Sequence, residues 1–335
     1  MKRFFLLFIL ALTVKVAVEA QVKKDSGNLF SVLQNGKLGF IDKTGKLVIK
    51  PQFEYANEFS EGLAQFTNPN ALDKYPFSKD GFIDTNGKVV IKPQFDNAYN
   101  FSEGRALVKI GDSYNFIDKK GEIVIKVGEF HDARSFHEGL AAIRMNGEVW
   151  FIDTTGKIII SKQYGYAKDF SEGFACIYVR GKAGYIDKSG KFIIQPQFDE
   201  GFDFSKGLAI IKVGERFGYI NKTGKIIIKP QFKSAYNFSD GLARVSTNDK
   251  FGFINQNGKF IIGEKYNVMT DDFSEGLAPV CSLDKCGYVN KLGKTVIKPL
   301  FDSAYSFRNG LAKIQIGGRI GYIDKTGNYI WKPSD

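Results

Sequence analysis

Histidine and cysteine are nearly missing from this 335-residue chain, with two of the first and three of the second. That excludes the multi-histidine and multi-thiolate centres on which most zinc chemistry is built. Also absent are a serine in a nucleophile elbow and a glycine-rich loop opening a helix, so acyl transfer and phosphate-loop chemistry have no support. Beyond the first few residues no apolar stretch approaches the roughly 18 residues of a membrane-spanning helix.

What is present begins with Lys2 and Arg3, an apolar run from Phe4 to Val14, and Val18-Glu19-Ala20. This is the pattern of a signal peptide over residues 1–20, cleaved after Ala20, and it predicts an exported protein, periplasmic or extracellular. No cysteine follows the cut, so no lipid attachment is expected, and no membrane span is expected after cleavage. The formal charge is +11. For an exported chain that charge points to anionic envelope polysaccharide or acidic protein rather than to nucleic acid. Lysines spread evenly along a β-rich chain also serve simply to keep strand edges soluble.

From Gly39 onward one pattern returns: Gly218-Tyr219-Ile220-Asn221-Lys222-Thr223-Gly224-Lys225, then Ile226-Ile227-Ile228-Lys229-Pro230-Gln231-Phe232, then Phe238-Ser239-Asp240-Gly241-Leu242-Ala243. The place of Gly218 recurs at Gly39, Gly81, Asn115, Trp150, Gly184, Gly252, Gly287 and Gly321. The period is about 34 residues. Each period holds three β signals: Gly-Tyr/Phe-Ile, a β-branched run, and Gly-Leu-Ala-x-Val. Asp/Asn-Lys-Thr-Gly between the first two is hairpin chemistry, because the Asp or Asn accepts backbone hydrogen bonds and the Gly supplies positive φ. Pro after the second run ends ladder pairing. No ten-residue window shows helical periodicity free of Gly or Pro.

The expectation is an all-β fold of tandem three-stranded antiparallel meanders over residues 21–335, with about eight full units and a partial ninth. These are stacked as an open β-solenoid or closed as a propeller-like ring in which the N-terminal strand completes the last unit. The continuous apolar second strand is expected to be covered on both faces by neighbouring units. The recurrent pairs Phe95 with Phe101 and Phe232 with Phe238 are expected to plug the core between units.

The blocks Gly-Tyr-Ile-Asp-Lys-x-Gly-Lys, Ile-Lys-Pro-Gln-Phe-Asp and Phe-Ser-Glu-Gly-Leu-Ala resemble the WG-repeat (KWG) family of bacterial proteins, over essentially all of the mature chain. The tryptophan typical of such repeats just before the Gly is replaced here by Leu38, Ala183, Phe217, Phe251, Cys286 or Ile320. The resemblance implies a β-repeat protein with no generally assigned catalytic residues.

Candidate chemistry is sparse. His131 and His137, with Asp132 and Glu138, do not match a common metal-ligand spacing, and no metal or cofactor site is expected. Asp42, Asp84, Asp118, Asp153, Asp187 and Asp324 fall in one turn position. Glu61, Glu103, Glu138, Glu172 and Glu275 all precede the third-strand glycine, and recurrence in register marks both sets as structural. Cys281 and Cys286 are placed to face each other across a hairpin and form a disulfide, with Cys176 left reduced and buried. The period breaks once, with extra residues within 67–79, and Tyr75 and Phe77 there form a candidate binding loop. Lys50, Lys92, Lys126, Lys229, Lys298 and Lys332 would align as a basic stripe. The expected function is therefore an exported, non-catalytic binding or scaffolding protein presenting repeated surfaces to a cell-envelope glycan or protein. The alternative is a glycan hydrolase on a propeller-like scaffold.

Overall fold

A computed structural model describes residues 28–68, 78–128, 132–145, 147–161, 164–267, 271–282 and 284–333. Its described residues form strands, turns and bends, without helix. Two compact units are distinguished, one of residues up to 111 together with 117–122, the other of 112–116 and everything from 123 on.

In the second unit a representative sheet runs Glu200–Gly201, Leu208–Val213, Arg216–Asn221 and Ile226–Phe232, hydrogen-bonded in chain order and antiparallel throughout. Sheets beginning at Asp132, Tyr166, Ser234 and Ser303 repeat it. In the first unit the sheet from Tyr55 to Phe95 has the same four strands. The expected three-stranded unit is thus corrected to a four-stranded meander, the topology of a β-propeller blade. The additional strand has two residues, as in Glu200 opposite Lys212 and Gly201 opposite Ile211. Phe30–Gln34 pairs with Lys37–Ile41 in a sheet of its own, and the sheet ending at Tyr329–Trp331 is complete from Ser303 onward. The N-terminal strand therefore does not supply a missing strand to the last sheet.

Consecutive sheets of each unit pack face to face. Ile210, Tyr219, Ile228 and Phe232 of one sheet share a core with Phe238, Ala243, Val245 and Ile254 of the next. The phenylalanine pairs are buried as expected, with Phe232 and Phe238 1% and 2% exposed and the Phe238 ring 5.1 Å from that of Tyr219. Burying each such ring contributes about 2 kcal/mol. No single meander could bury them alone.

The hairpin turns join local conformation to this packing. Asp187 Oδ1 accepts the N–H groups of Ser189 and Lys191 and the Ser189 hydroxyl at 2.9, 3.1 and 2.6 Å. Gly190 follows with φ 77°, and a Cβ there would lie 2.9 Å from Ile160 Cγ2 of the preceding sheet. Glycine is required twice, for its backbone and for its lack of a side chain.

A second expectation is corrected at the Ile/Val-rich strand. It is the edge strand of every sheet and is not covered on both faces. In Ile226–Phe232 only Ile228 and Phe232 are buried, while Ile226, Ile227, Lys229 and Gln231 are exposed. Lysine and proline on this edge oppose pairing with another chain, which explains how β-branched residues are tolerated at an open edge.

Candidate binding surface

The recurring carboxylates join sheet to sheet. In the second unit Glu172 accepts the N–H of Gly207 at 3.0 Å and the Lys222 ammonium at 3.2 Å, both from the following sheet, while Ser171 Oγ donates to the Phe204 carbonyl at 2.7 Å. The first unit repeats this with Glu61, Gly104 at 3.0 Å and Lys119 at 3.1 Å. At another position of some repeats Asp199 takes the Lys182 ammonium at 2.5 Å and the Gly214 N–H at 2.7 Å, and Asp302 takes Lys285 and Gly317 at 2.5 and 2.6 Å. Partial burial works against the charge of Glu172, but the Gly207 N–H and Lys222 outweigh it and hold the carboxyl below its ordinary range. For Asp199 the Lys182 hydrogen bond leads in the same direction. Carboxylates held ionised this way are poorly suited to proton donation.

The residues left to face solvent in register are on the edge strands. Lys50 and Lys92 in the first unit, and Lys126, Lys229, Lys298 and Lys332 in the second, are exposed, and none has an ion pair among the described residues. Two positions earlier, on the same side of the strand, stand Val48, Val90, Val124, Ile227 and Val296, each about two-fifths exposed. Five of the edges therefore offer an exposed ammonium beside an exposed β-branched side chain, while Ser161, Gln195 and Gly263 hold the lysine's place in three others.

A different polar group gathers where the second unit departs from its own repeat. Ala-Tyr-Asn-Phe at 235–238 is replaced by Ala-Arg-Ser-Phe at 133–136, Ala-Lys-Asp-Phe at 167–170 and Gly-Phe-Asp-Phe at 201–204. Arg134 contacts Asp169 at 3.3 Å and the Tyr166 hydroxyl at 2.5 Å, and Lys168 lies 4.1 Å from the Phe202 ring centroid. Burial pushes the Asp203 carboxyl above its ordinary value, against the pull of Lys168. His137 sits here too, 3.8 Å from Asp169, with Nδ1 3.1 Å from the Ser135 carbonyl. Glu138 points its charge elsewhere, to Gly173 and Lys188. His131 lies outside the described residues, and no group of three metal-ligating side chains occurs among those described. These departures were readable by aligning the repeats.

Cys281 and Cys286 are cross-strand partners with Cα atoms 4.0 Å apart and are joined in a disulfide. Cys176 is free and buried, and burial pushes its thiol up to about 12. Reduction and alkylation should label one peptide holding both Cys281 and Cys286, with a stability loss of about 2 kcal/mol for so short a loop. Labelling of that peptide without prior reduction would contradict the bridge. Tyr75 and Phe77 lie outside the described residues. No helix among the described residues is long and apolar enough to cross a membrane.

A family model described as a WG containing repeat matches residues 39–68, 81–114, 116–148, 151–182, 184–216, 217–251, 251–286 and 287–319. No curated protein matches the sequence. Among solved structures, a eukaryotic initiation factor is similar over 90% of this chain and 94% of its own, with a TM-score of 0.63 and 12% identity. At that identity the likeness is one of fold alone. Looser similarity extends to the dihydro-heme d1 dehydrogenase NirN, at 15% identity over 91% of this chain and 72% of its own, with a TM-score of 0.49. PorZ, a surface component of the type-IX secretion system of Porphyromonas gingivalis, has 10% identity over 92% of this chain and 51% of its own, with a TM-score of 0.37.

Proposed function

The chain belongs to the WG-repeat family, and on that premise we propose that it is an exported, non-catalytic binding protein whose edge strands hold an acidic glycan of the cell envelope. The observation that carries this is the set of exposed lysines at one repeat position in six of the nine sheets, without an ion pair among the described residues, five of them beside an exposed β-branched side chain. A single solvated lysine contributes little to affinity. Several on one scaffold contribute jointly, because each contact after the first is intramolecular. The apolar neighbour suits the C–H face of a sugar ring, and the ammonium suits its carboxylate. The use of the recurring carboxylates in sheet-to-sheet bonds favours binding over hydrolysis, which needs a carboxyl kept protonated by its surroundings.

The full chain should retain polygalacturonate but not neutral dextran in a retention assay at about 50 mM salt and release it at about 500 mM. The combined variant Lys92→Gln, Lys229→Gln, Lys298→Gln should bind about tenfold more weakly with an unchanged melting temperature. Equal retention of dextran, or indifference to salt, would remove this reading.

A further inference from the structure

At one interface of the second unit the acid that joins sheet to sheet is replaced by a lysine, while the N–H group that would receive it remains. Gly104, Gly173, Gly207, Gly276 and Gly310 each donate their N–H to a carboxylate of the preceding sheet, that of Glu61, Glu138, Glu172, Asp240 and Glu275, at 2.7 to 3.2 Å. Each glycine is the second of two consecutive residues with positive φ, a turn that aims backbone N–H groups at an anion. The N–H of Lys206, which precedes Gly207, favours the charged form of Glu172 alongside that of Gly207. Four of the five carboxylates also meet a hairpin lysine, Lys119, Lys188, Lys222 or Lys325.

Asp240 and Gly241 form the same turn, with φ 52° and 84°. The residue placed to reach it, one repeat after Glu172, is Lys206, and the place of Lys222 is taken by Gln256. Gln256 Nε2 donates to the Lys206 carbonyl at 3.4 Å, and Lys206 is exposed, without an ion pair among the described residues. The Gly241 N–H has no acceptor among them either. Gly241 is exposed, and apart from its chain neighbours nothing lies within 4 Å of where its Cβ would stand, so the turn is open to a ligand. The Asp240 carboxylate is directed to the following sheet, where it accepts the Gly276 N–H at 2.7 Å. The hairpin that touches Lys206, Asn255-Gln256-Asn257-Gly258-Lys259, carries no carboxylate. We infer that Gly241, Lys206 and Gln256 form a binding site for one carboxylate group supplied from outside the chain, held by the Gly241 N–H and the Lys206 ammonium. Its charge follows from the five equivalent turns, each of which holds a carboxylate, and from the exchange of acid for lysine at this one. The site goes beyond the edge-strand reading and does not depend on it.

Proton–nitrogen correlation spectra of the isotope-labelled full chain, titrated with sodium acetate against sodium chloride at equal ionic strength, test it. The Gly241 amide should shift saturably with acetate, with half-saturation on the order of 50 mM. The amides of Gly173, Gly207 and Gly276, already held by Glu138, Glu172 and Asp240, should not respond. Lys206→Gln should weaken the Gly241 response about threefold. Lys206→Glu returns the repeat's own carboxylate to the turn and should abolish the response. In that variant the Gly241 amide should stand, without acetate, near the position to which acetate drives it in the unaltered chain, and the melting temperature should be no lower. No shift at Gly241, equal shifts at all four glycines, or an acetate response that persists in Lys206→Glu would overturn the site. The combined variant Lys92→Gln, Lys229→Gln, Lys298→Gln leaves Lys206 and Gly241 in place, so it should keep the full Gly241 response while its hold on polygalacturonate weakens. Either reading can therefore fail without the other.

Discussion

Gly218→Val is expected to lower stability by about 3 kcal/mol, read as a fall in urea midpoint without loss of slope. A Cβ at Gly218 would lie 2.6 Å from the Ile228 carbonyl oxygen and 2.7 Å from Pro230 N, both backbone atoms that cannot step aside. The reason is a bulge: Phe217 pairs with Phe232 and Tyr219 with Ile228, so three residues of the edge strand stand opposite Gly218 alone. Gly241→Ala is the matched control. Its φ is 84° but nothing lies within 4 Å of the added carbon, so only the backbone penalty of about 1 kcal/mol applies. Equal losses in the two variants would show that close approach is not what selects glycine at position 218.

The chain contains its own version of this experiment. Proline stands twelve residues after Gly39, Gly81, Gly184, Gly218, Gly287 and Gly321. Where the glycine is replaced, by Asn115 or Trp150, the residue twelve on is Val127 or Lys162. In the sheet that holds Trp150, Trp150 stands opposite Ser161 and Phe151 opposite Ile160, so no extra residues of the edge strand lie between these two pairs, and the register shifts only at the next step, between Phe151 and Ile152. Among the described residues glycine and the extra residues opposite it are therefore lost together in this sheet. Gly252 keeps its glycine with Glu264 twelve residues on, and there too the Ile262 carbonyl would be 2.6 Å from a Cβ, so the bulge rather than the proline ring forbids a side chain.

This coupling shows which parts of the fold are legible in a single sequence. Hairpins such as Asp187-Lys188-Ser189-Gly190 are legible because their chemistry is local. The pairing of Cys281 with Cys286 is legible because aligned repeats carry strand register with them. The two-residue strand, Glu200–Gly201 in one sheet, is not, since two residues show no periodicity. The edge position of Ile226–Phe232 is also hidden. A run of three isoleucines reads as doubly covered, yet the strand is open on one side, and its protection comes from Lys229 and Pro230, which look like turn residues in isolation. At the candidate binding surface, the recurring lysines are legible from the repeat.

Acid should unfold the protein well before its strands lose intrinsic stability, with the melting temperature falling on the order of 10 °C between pH 6 and pH 3. The carboxyls of Asp96, Asp187, Asp199 and Asp302 are held below their ordinary values, chiefly by the side-chain hydrogen bonds from Lys79, Ser189, Lys182 and Lys285. Glu138, Glu172 and Glu275 are lowered as well, where partial burial is outweighed by an N–H group and a lysine of the next sheet. A folded-state pKa below the unfolded one contributes stability that is complete above the ordinary carboxylate range, near 4, and is lost as pH falls through it toward the folded values. Asp203 and Asp272 act with the opposite sign, since burial raises them and protonation relieves that cost, but they are few against the recurring set. The effect is distributed over interfaces, so one variant should move it only slightly. Glu172→Gln keeps an oxygen for the Gly207 N–H while losing the charge that Lys222 meets, and should flatten the acid limb without abolishing it. A melting temperature unchanged between pH 6 and pH 3 would show that the carboxylates joining sheet to sheet contribute geometry and no net stability.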